Sequence, residues 1–429
     1  MSSPEKLDIP HVDPVDGEIP SPVATKVLDD VPEGGYGWIC VLAVGIINCF
    51  VWGQAASYGV YLSYYLANDT FHDATSFDYA VIGGLEFAVA LFIAPLVTIT
   101  TRTLGTRFTM SIGVLVHACG FIAASFATKI SHLYATQGFM IGVGIGFMFI
   151  PSVTVLPQWF HKRRTLAQGF SSAGSGVGGI IFSLGTHAMI DGISLAWSLR
   201  ITGILCFAFN LLATILLRDR NAQVKPMQVG FASYLLKRPE VILLLLYSFV
   251  NLLGYMVLLY SLSAFAVSIG LTQSQASNIT ALLNLGTAIG RPAVGFASDR
   301  WGRLIIAGSL SMFTGICCFI IWIPANSYGV LIFYAILAGM TIGTFWMTVA
   351  PLAAEVAGLR EVPSLLSLTW LAIVLPCLFA EVIGLYIRRD GSRPYLWAQV
   401  FTGLAYIVSS LFLAALWRTK RRADHQQTS

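Results

Sequence analysis

Thr280, Asn284, Thr287 and Arg291 follow one another at spacings of four, three and four in a stretch otherwise made of Ala, Leu, Ile, Val, Gly and Phe. On a helix that spacing gathers them on one face. Such a face suits water or an anionic ligand, because the guanidinium supplies charge and a planar fork of donors while Asn and Thr add neutral hydrogen bonds. An arginine at mid-membrane costs roughly 2.5–3.5 kcal/mol on insertion scales, and residues of that kind mark solute or ion pathways. The alternative is snorkelling, since Arg291 lies about six residues, roughly 9 Å, from the nearer end of its stretch. Snorkelling leaves the polar stripe above Arg291 unexplained, so Arg291, Asn284 and Thr287 are the first candidates for holding a solute.

Two further faces carry hydrogen-bonding side chains. Gln54, Tyr58, Tyr61 and Tyr65 align on one helical face, as do Tyr247, Asn251, Gly254 and Ser261 on another. Gln54, Tyr58 and Asn251 are candidates for lining a cavity, whereas Tyr61 and Tyr65 read as part of an interfacial aromatic belt. Trp346, Thr348 and Trp370 are weaker candidates, because a tryptophan facing lipid or core is the commoner case. Glu86 and Glu381 are the two carboxylates well inside apolar stretches, at similar depth below one end. Desolvation and mutual repulsion would favour a shared proton there, which makes them candidates for proton coupling. The competing reading is two unrelated acids, with Glu381 paired to Arg388. His117 reads as a packing histidine.

These residues need a frame, and the composition supplies it. The 429 residues are 56% hydrophobic and only 11% charged, which excludes a soluble multidomain protein and points to a polytopic membrane protein. Twelve apolar segments, each close to the roughly 20 residues of a membrane span, fall near 38–64, 79–100, 108–128, 133–156, 166–188, 196–217, 241–268, 276–297, 304–323, 328–350, 364–387 and 394–417. Basic residues crowd one set of connections (Arg102, Arg107, Lys162, Arg163, Arg164, Arg218, Arg220, Lys225, Lys237, Arg238, Arg300, Arg303, Arg360) and the C-terminal tail. The positive-inside bias therefore places both termini in the cytosol.

The expected organisation is a disordered cytosolic tail over 1–36, a six-helix bundle over 37–217, a cytosolic linker over 218–240, a second six-helix bundle over 241–417 and a cytosolic tail over 418–429. The halves repeat: Asp299-Arg300-Trp301-Gly302-Arg303 after the eighth span has a degraded counterpart, Arg102-Thr103-Leu104-Gly105-Thr106-Arg107, after the second. In the second copy Gly302 allows a tight turn while Asp299, Arg300 and Arg303 can pair with neighbouring helix ends as a cytosolic latch. Arg102 replaces the acid in the first copy, so the same latch cannot form there. Gly138, Gly142 and Gly146, with Gly174, Gly178 and Gly179, make small faces for close helix packing; without a strand and a lysine they are not phosphate loops. Trp159 through Arg164 reads as an interfacial anchor, with lipid headgroups as partners.

The turn Gly295-Phe296-Ala297-Ser298-Asp299-Arg300-Trp301-Gly302-Arg303 resembles the loop signature of the major facilitator superfamily. Pro32 to Trp38, Trp159 to Gly169 with the following Ser171–Gly179 run, and Gly290-Arg291-Pro292 resemble the monocarboxylate-porter family within it, fungal members above all. The resemblance covers nearly the whole chain after the tail. It implies an all-α fold of twelve helices in two bundles, a central solute cavity and rocker-switch alternating access. Where animal monocarboxylate transporters carry a lysine in the first span and an aspartate one turn before the eighth-span arginine, this chain reads Ala56 and Thr287. Only Arg291 carries over, which argues against simple lactate or pyruvate transport.

The sequence thus predicts a secondary transporter for a small organic, anionic solute, working in carboxylate uptake or secondary-metabolite efflux. A non-transporting nutrient sensor on the same scaffold is the rival, and it would be expected to carry a long cytosolic extension. No Ser/His/Asp, metal or nucleotide constellation suggests an enzyme, and the seven cysteines, all in apolar runs, suggest neither disulfides nor zinc. The expected partners are the solute, membrane lipid and protons, with no nucleic acid and no cofactor. A monomer in the plasma membrane, or alternatively the vacuolar membrane, is expected.

Overall fold

The computed structural model describes residues 31–68, 70–71, 74–389, 391 and 393–428; of the expected N-terminal tail, 1–30 lies outside these. The regular elements of the described residues are all helices, with no strand among them. In chain order the spans are α1 (Gly37–Tyr65), α2 (Phe77–Phe92 with Ala94–Leu104), α3 (Thr106–Ala124), α4 (Ile130–Trp159), α5 (Arg164–Gly192) and α6 (Leu195–Leu216). After the linker come α7 (Pro239–Ser268), α8 (Gln273–Trp301), α9 (Arg303–Trp322), α10 (Tyr328–Ala357), α11 (Val362–Ala372 with Val374–Tyr386) and α12 (Leu396–Thr428). Ten helices are long and apolar enough to cross a membrane, and the pair forming α2, bent by 46°, makes an eleventh. The twelfth is α8, long enough to cross but made too polar by the stripe that ends in Arg291. Fold and site meet on that one helix.

Proline explains the breaks. Pro95, just inside the second segment of α2, lacks an N–H and crowds the carbonyl one turn back, so the helix is interrupted at Ile93. Pro376 stands three residues past the interruption at Ile373 in α11, where it likewise removes an N–H and crowds the carbonyl one turn back. The two interrupted helices pack against each other, with Gly84 of α2 lying beside the Leu378 carbonyl. On the other side of the molecule α5 packs along α8 and reaches α10. Gly169 and Gly176 of α5 face the main chain of α8 at Arg291 and Asn284, while Gly174 and Gly178 face the main chain of α1 at Gly45 and Cys49. Any side chain at these four positions would collide, so the small residues let α5 touch α1 and α8 at once.

One boundary differs from the sequence expectation, and two other segments gain detail. Residues 33–36 are not part of a loose tail: they form a turn in which Glu33 accepts hydrogen bonds from the main-chain N–H groups of His161 and Lys162, both at 2.6 Å. The linker is strapped down, since Ser364 Oγ donates to the Met227 carbonyl (2.6 Å) and Ser367 Oγ to the Gly230 carbonyl (2.6 Å). Finally, the expected tail is helical as far as Thr428, continuing α12.

Candidate functional site

Arg291 lies about four residues past the middle of α8, toward the end of the molecule where the basic loops gather. It is only 5% exposed. Its Nη1 donates to the Ser172 carbonyl and to Ser175 Oγ (2.6 Å), both on α5 in the opposite half. Among the described residues no carboxylate pairs with it, and its buried Nε finds no acceptor. Gly343 of α10 is what lets the guanidinium sit there, because a Cβ at that position would come within 2.8 Å of Nε. A buried cation with no counter-ion among the described residues is electrostatically costly, and nearby negative charge would offset that cost.

Asn284, two turns earlier on α8, lies against Gly179 of α5 and so shares the Arg291 face. Thr287 does not: its hydroxyl donates to Leu283 O (3.0 Å) and to Gly339 O of α10 (3.2 Å), within its own half. Gln54 is buried on α1, with Oε1 unpartnered among the described residues.

Two cavity candidates turn out to hold single halves together. Tyr58 donates to the Tyr79 carbonyl (2.9 Å), tying α1 to α2. Asn251 Nδ2 reaches Ser311 Oγ (3.3 Å) on α9 and Ser409 Oγ (3.2 Å) on α12, in the core of the second half. A polar helical face looks the same from sequence whether it meets a cavity or a neighbouring helix. Tyr61 and Tyr65 are likewise core residues and not an interfacial belt, both 1% exposed, with Tyr61 against Ser198 and Thr202 and Tyr65 donating to Gln137.

Glu86 is 2% exposed and its Oε1 has no partner among the described residues. It lies about 200° round α2 from Gly84, the residue beside Leu378, so it is directed away from α11 and into its own half. α11 passes α2 as expected, but the side chain of Glu381 lies outside the described part of the structure. His117 packs edge-on to Phe121 (5.2 Å) and against Gly144.

At the basic end, Asp299 bridges the halves. Its carboxylate accepts from the main-chain N–H groups of Thr165 (3.1 Å) and Leu166 (2.8 Å), in the first turn of α5. Arg303 donates to Asp299 (3.1 Å) and to the His161 carbonyl (2.7 Å). Among the described residues Arg300 adds no bond to this bridge, and it lies over its neighbour's ring, Trp301, at 5.9 Å. Gly302 and Gly105 both have positive φ, 100° and 82°, so the repeat of the turn is real in conformation. Its chemistry differs: Arg107 donates to the Leu217 carbonyl (2.9 Å) within the first half. Burial, then Arg164 and Arg303, hold His161 below the ordinary imidazole value.

Sequence reasoning missed the acceptors on α5 and, beyond naming Trp346 and Trp370 as weaker candidates, the aromatic seam at Arg291's level. Ser172 and Ser175 lie in the Ser171–Gly179 run, which reads only as a packing face. Trp52 and Phe149 of the first half meet Trp346 and Trp370 of the second, with Trp52 to Trp346 at 5.6 Å and Phe149 to Trp370 at 5.6 Å, and Phe87 packs beside Trp52. Trp52 sits in a π-helical turn, Cys49–Gly53, which shifts the phase of the helix so that regular spacing cannot predict its direction. Among the described residues no three His, Cys, Asp or Glu side chains gather as a metal site.

Twelve spans in two packed halves, with a buried charge and an aromatic seam where they meet, define a membrane carrier. The chain matches the Major Facilitator Superfamily over residues 44–379 and again over 244–429. The probable transporter MCH2 of Saccharomyces cerevisiae is 35% identical over 413 residues, covering 95% of this chain and 86% of that one. The uncharacterized transporter ESBP6 of the same yeast is 37% identical over 413 residues, covering 92% of this chain but 60% of its own length. The fujikurins efflux protein of Gibberella fujikuroi is 28% identical over 397 residues, 91% of this chain and 84% of that one. Among solved structures the fucose:proton symporter of E. coli shares the fold, with a TM-score of 0.67 and 16% identity over 89% of this chain and 98% of that one. The chain belongs to the Major Facilitator Superfamily and is a multi-pass membrane transporter of the kind that carries small-molecule solutes.

Proposed function

We propose that this transporter moves a small organic anion across the plasma membrane of a fungal cell by alternating access, as carboxylate uptake or metabolite efflux. The observation that carries this is Arg291: a buried cation at the junction of the halves, bonded to neutral oxygens of the facing half and to no acid among the described residues. The solute's anionic group supplies the missing counter-charge, and Asn284 adds a neutral hydrogen bond on the same face. Because Arg291 bonds across the seam, a solute that takes over its donors also loosens α8 from α5, linking occupancy to the movement of the halves (37–217 and 241–417).

Both termini are cytosolic in this scheme, so the Asp299 bridge closes the cytosolic side. The protein works as a monomer, and its basic loops face lipid headgroups. The decisive measurement is solute flux by Arg291→Lys and Arg291→Ala at equal membrane amount. Lysine keeps the charge but not the fork, so flux falls clearly with Lys and is abolished with Ala. A lost buried charge-assisted contact costs about 2–5 kcal/mol, roughly 30- to several-thousand-fold in affinity. Near-normal flux in either variant rules the role out.

A further inference from the structure

The seam beside Arg291 is aromatic to a degree that packing alone does not require. Phe149, Trp346 and Trp370 each stand about four residues from the middle of their spans toward the basic end, the same level as Arg291. Trp346 and Trp370 lie nearly parallel, with centroids 6.1 Å apart and planes 18° apart. Trp52 bridges the halves above them, 5.1 Å from Phe149 and 5.6 Å from Trp346. Tyr255 adds an edge at 6.1 Å from Trp346. Trp346 follows Gly343, the residue that seats the Arg291 Nε, by three positions on the same helix, so the ring group and the guanidinium are neighbours.

Hydrogen bonding sharpens the chemistry. The indole N–H groups of Trp52 and Trp370 are buried and find no acceptor among the described residues, and the same holds for Arg291 Nε. Trp370 is fully buried. A buried N–H ordinarily has a partner, and three such donors around one cluster describe a surface set for oxygen acceptors on a flat body. The rings offer π faces from both halves, while the donors offer contacts in and near the plane of an oxygenated ring system.

We infer that the transported solute is a carboxylate bearing an aromatic or conjugated planar group, with Trp52, Trp346 and Trp370 as its specificity-determining residues and Arg291 as its anion site. The inference rests on the anion role of Arg291 and adds the shape of the rest of the molecule. A small aliphatic acid leaves the rings and both indole donors unused. Because rings of both halves form the surface, the planar group is also held at the place where the halves must part.

The test uses the purified full chain in detergent and two acids of equal charge and carbon number, benzoate and cyclohexanecarboxylate, which differ in the planarity of the ring. Thermal unfolding is followed against the concentration of each. Benzoate is expected to reach half its effect at a concentration roughly 3- to 10-fold lower, the range for one good aromatic contact. In Trp346→Leu, which keeps an apolar side chain but removes a π face at a half-buried site, that preference falls toward one. In Arg291→Lys both acids weaken together. Equal half-effects in the unsubstituted protein, or no shift with either acid, overturn the inference, and this reading requires no variant to fold. Equal half-effects that are both weakened by Arg291→Lys leave the anion site standing. A benzoate preference undiminished in Arg291→Lys overturns the anion site while the ring preference holds.

Discussion

The carboxylate of Asp299, in the second half of the chain, caps the first turn of α5 in the first half by accepting the main-chain N–H of Leu166 at 2.8 Å. Thr165 N–H supplies a second bond to the same group. The bridge is thus a charge against the exposed N–H groups and positive pole of a helix, with Arg303 as a secondary partner. In the alternating-access scheme proposed above, rocking the halves apart at this end would break these bonds together, and their strength would set part of the balance between the closed and open states.

Asp299→Asn keeps one acceptor oxygen but loses the charge and the pairing with Arg303. The closed state should weaken by about one hydrogen bond to a charged group, about tenfold in the closed-to-open ratio. A thiol at Ser172→Cys, buried in the closed seam, reports it in an otherwise cysteine-free protein. Its reaction with a small maleimide should speed up several-fold when Asp299→Asn is added. An unchanged rate means that the cap does not hold the closed state.

Gly343 gives a sharper handle on Arg291 than replacing the arginine itself. Gly343→Ala leaves the charge in place but puts a methyl group 2.8 Å from Nε, so the guanidinium must shift. The expected outcome is a solute affinity lowered at least several-fold with normal membrane amount, and no comparable effect from alanine at Gly185, where no atom lies within 4 Å. Affinity unaltered by Gly343→Ala places the solute away from this guanidinium.

How far this was legible follows from what each residue depends on. The spans were legible because a run of some 20 apolar residues has few other uses, and Arg291 and Asp299 because a charge in or beside such a run needs a reason. Which neighbour a polar face meets was not. Tyr58 and Asn251 carry the same spacing as a cavity face, yet their partners are Tyr79, Ser311 and Ser409, residues remote in sequence. Glu33 was hidden for another reason: its partners are main-chain N–H groups of His161 and Lys162, and main chain has no sequence signature. Ser172 is used through its carbonyl and was hidden in the same way.

His161 makes the bridge region sensitive to pH in a defined direction. Burial, Arg164 and Arg303 disfavour its charged form, more than nearby Glu33 favours it, so the folded protein takes up the proton at a pH below the usual 6.5. The unfolded chain already binds that proton near 6.5. Stability is therefore unaffected by His161 above that value and is lost progressively as pH falls below it. His161→Gln keeps the main-chain groups that bond to Glu33 and Arg303. Its unfolding temperature should fall less than that of the unsubstituted protein between pH 7.5 and 5.5. Parallel curves would show that the imidazole is free to charge in the folded state.

Glu86 bears on what drives transport. A carboxylate 2% exposed, with one oxygen unpartnered among the described residues and directed into its own half, is the first candidate for carrying a proton during transport. Glu381 is the second candidate on sequence grounds, on the helix that passes α2. Glutamine mimics the protonated acid while keeping its size. If Glu86 carries the proton, Glu86→Gln should lose accumulation driven by a pH gradient yet retain solute exchange at equal pH on both sides, because exchange never requires the proton to leave. Glu381→Gln and the double substitution separate the two acids: the one whose replacement abolishes gradient-driven accumulation carries the proton. If the double substitution keeps the original pH dependence of flux, neither acid is the coupling group, and the driving force is the solute's own gradient or another ion.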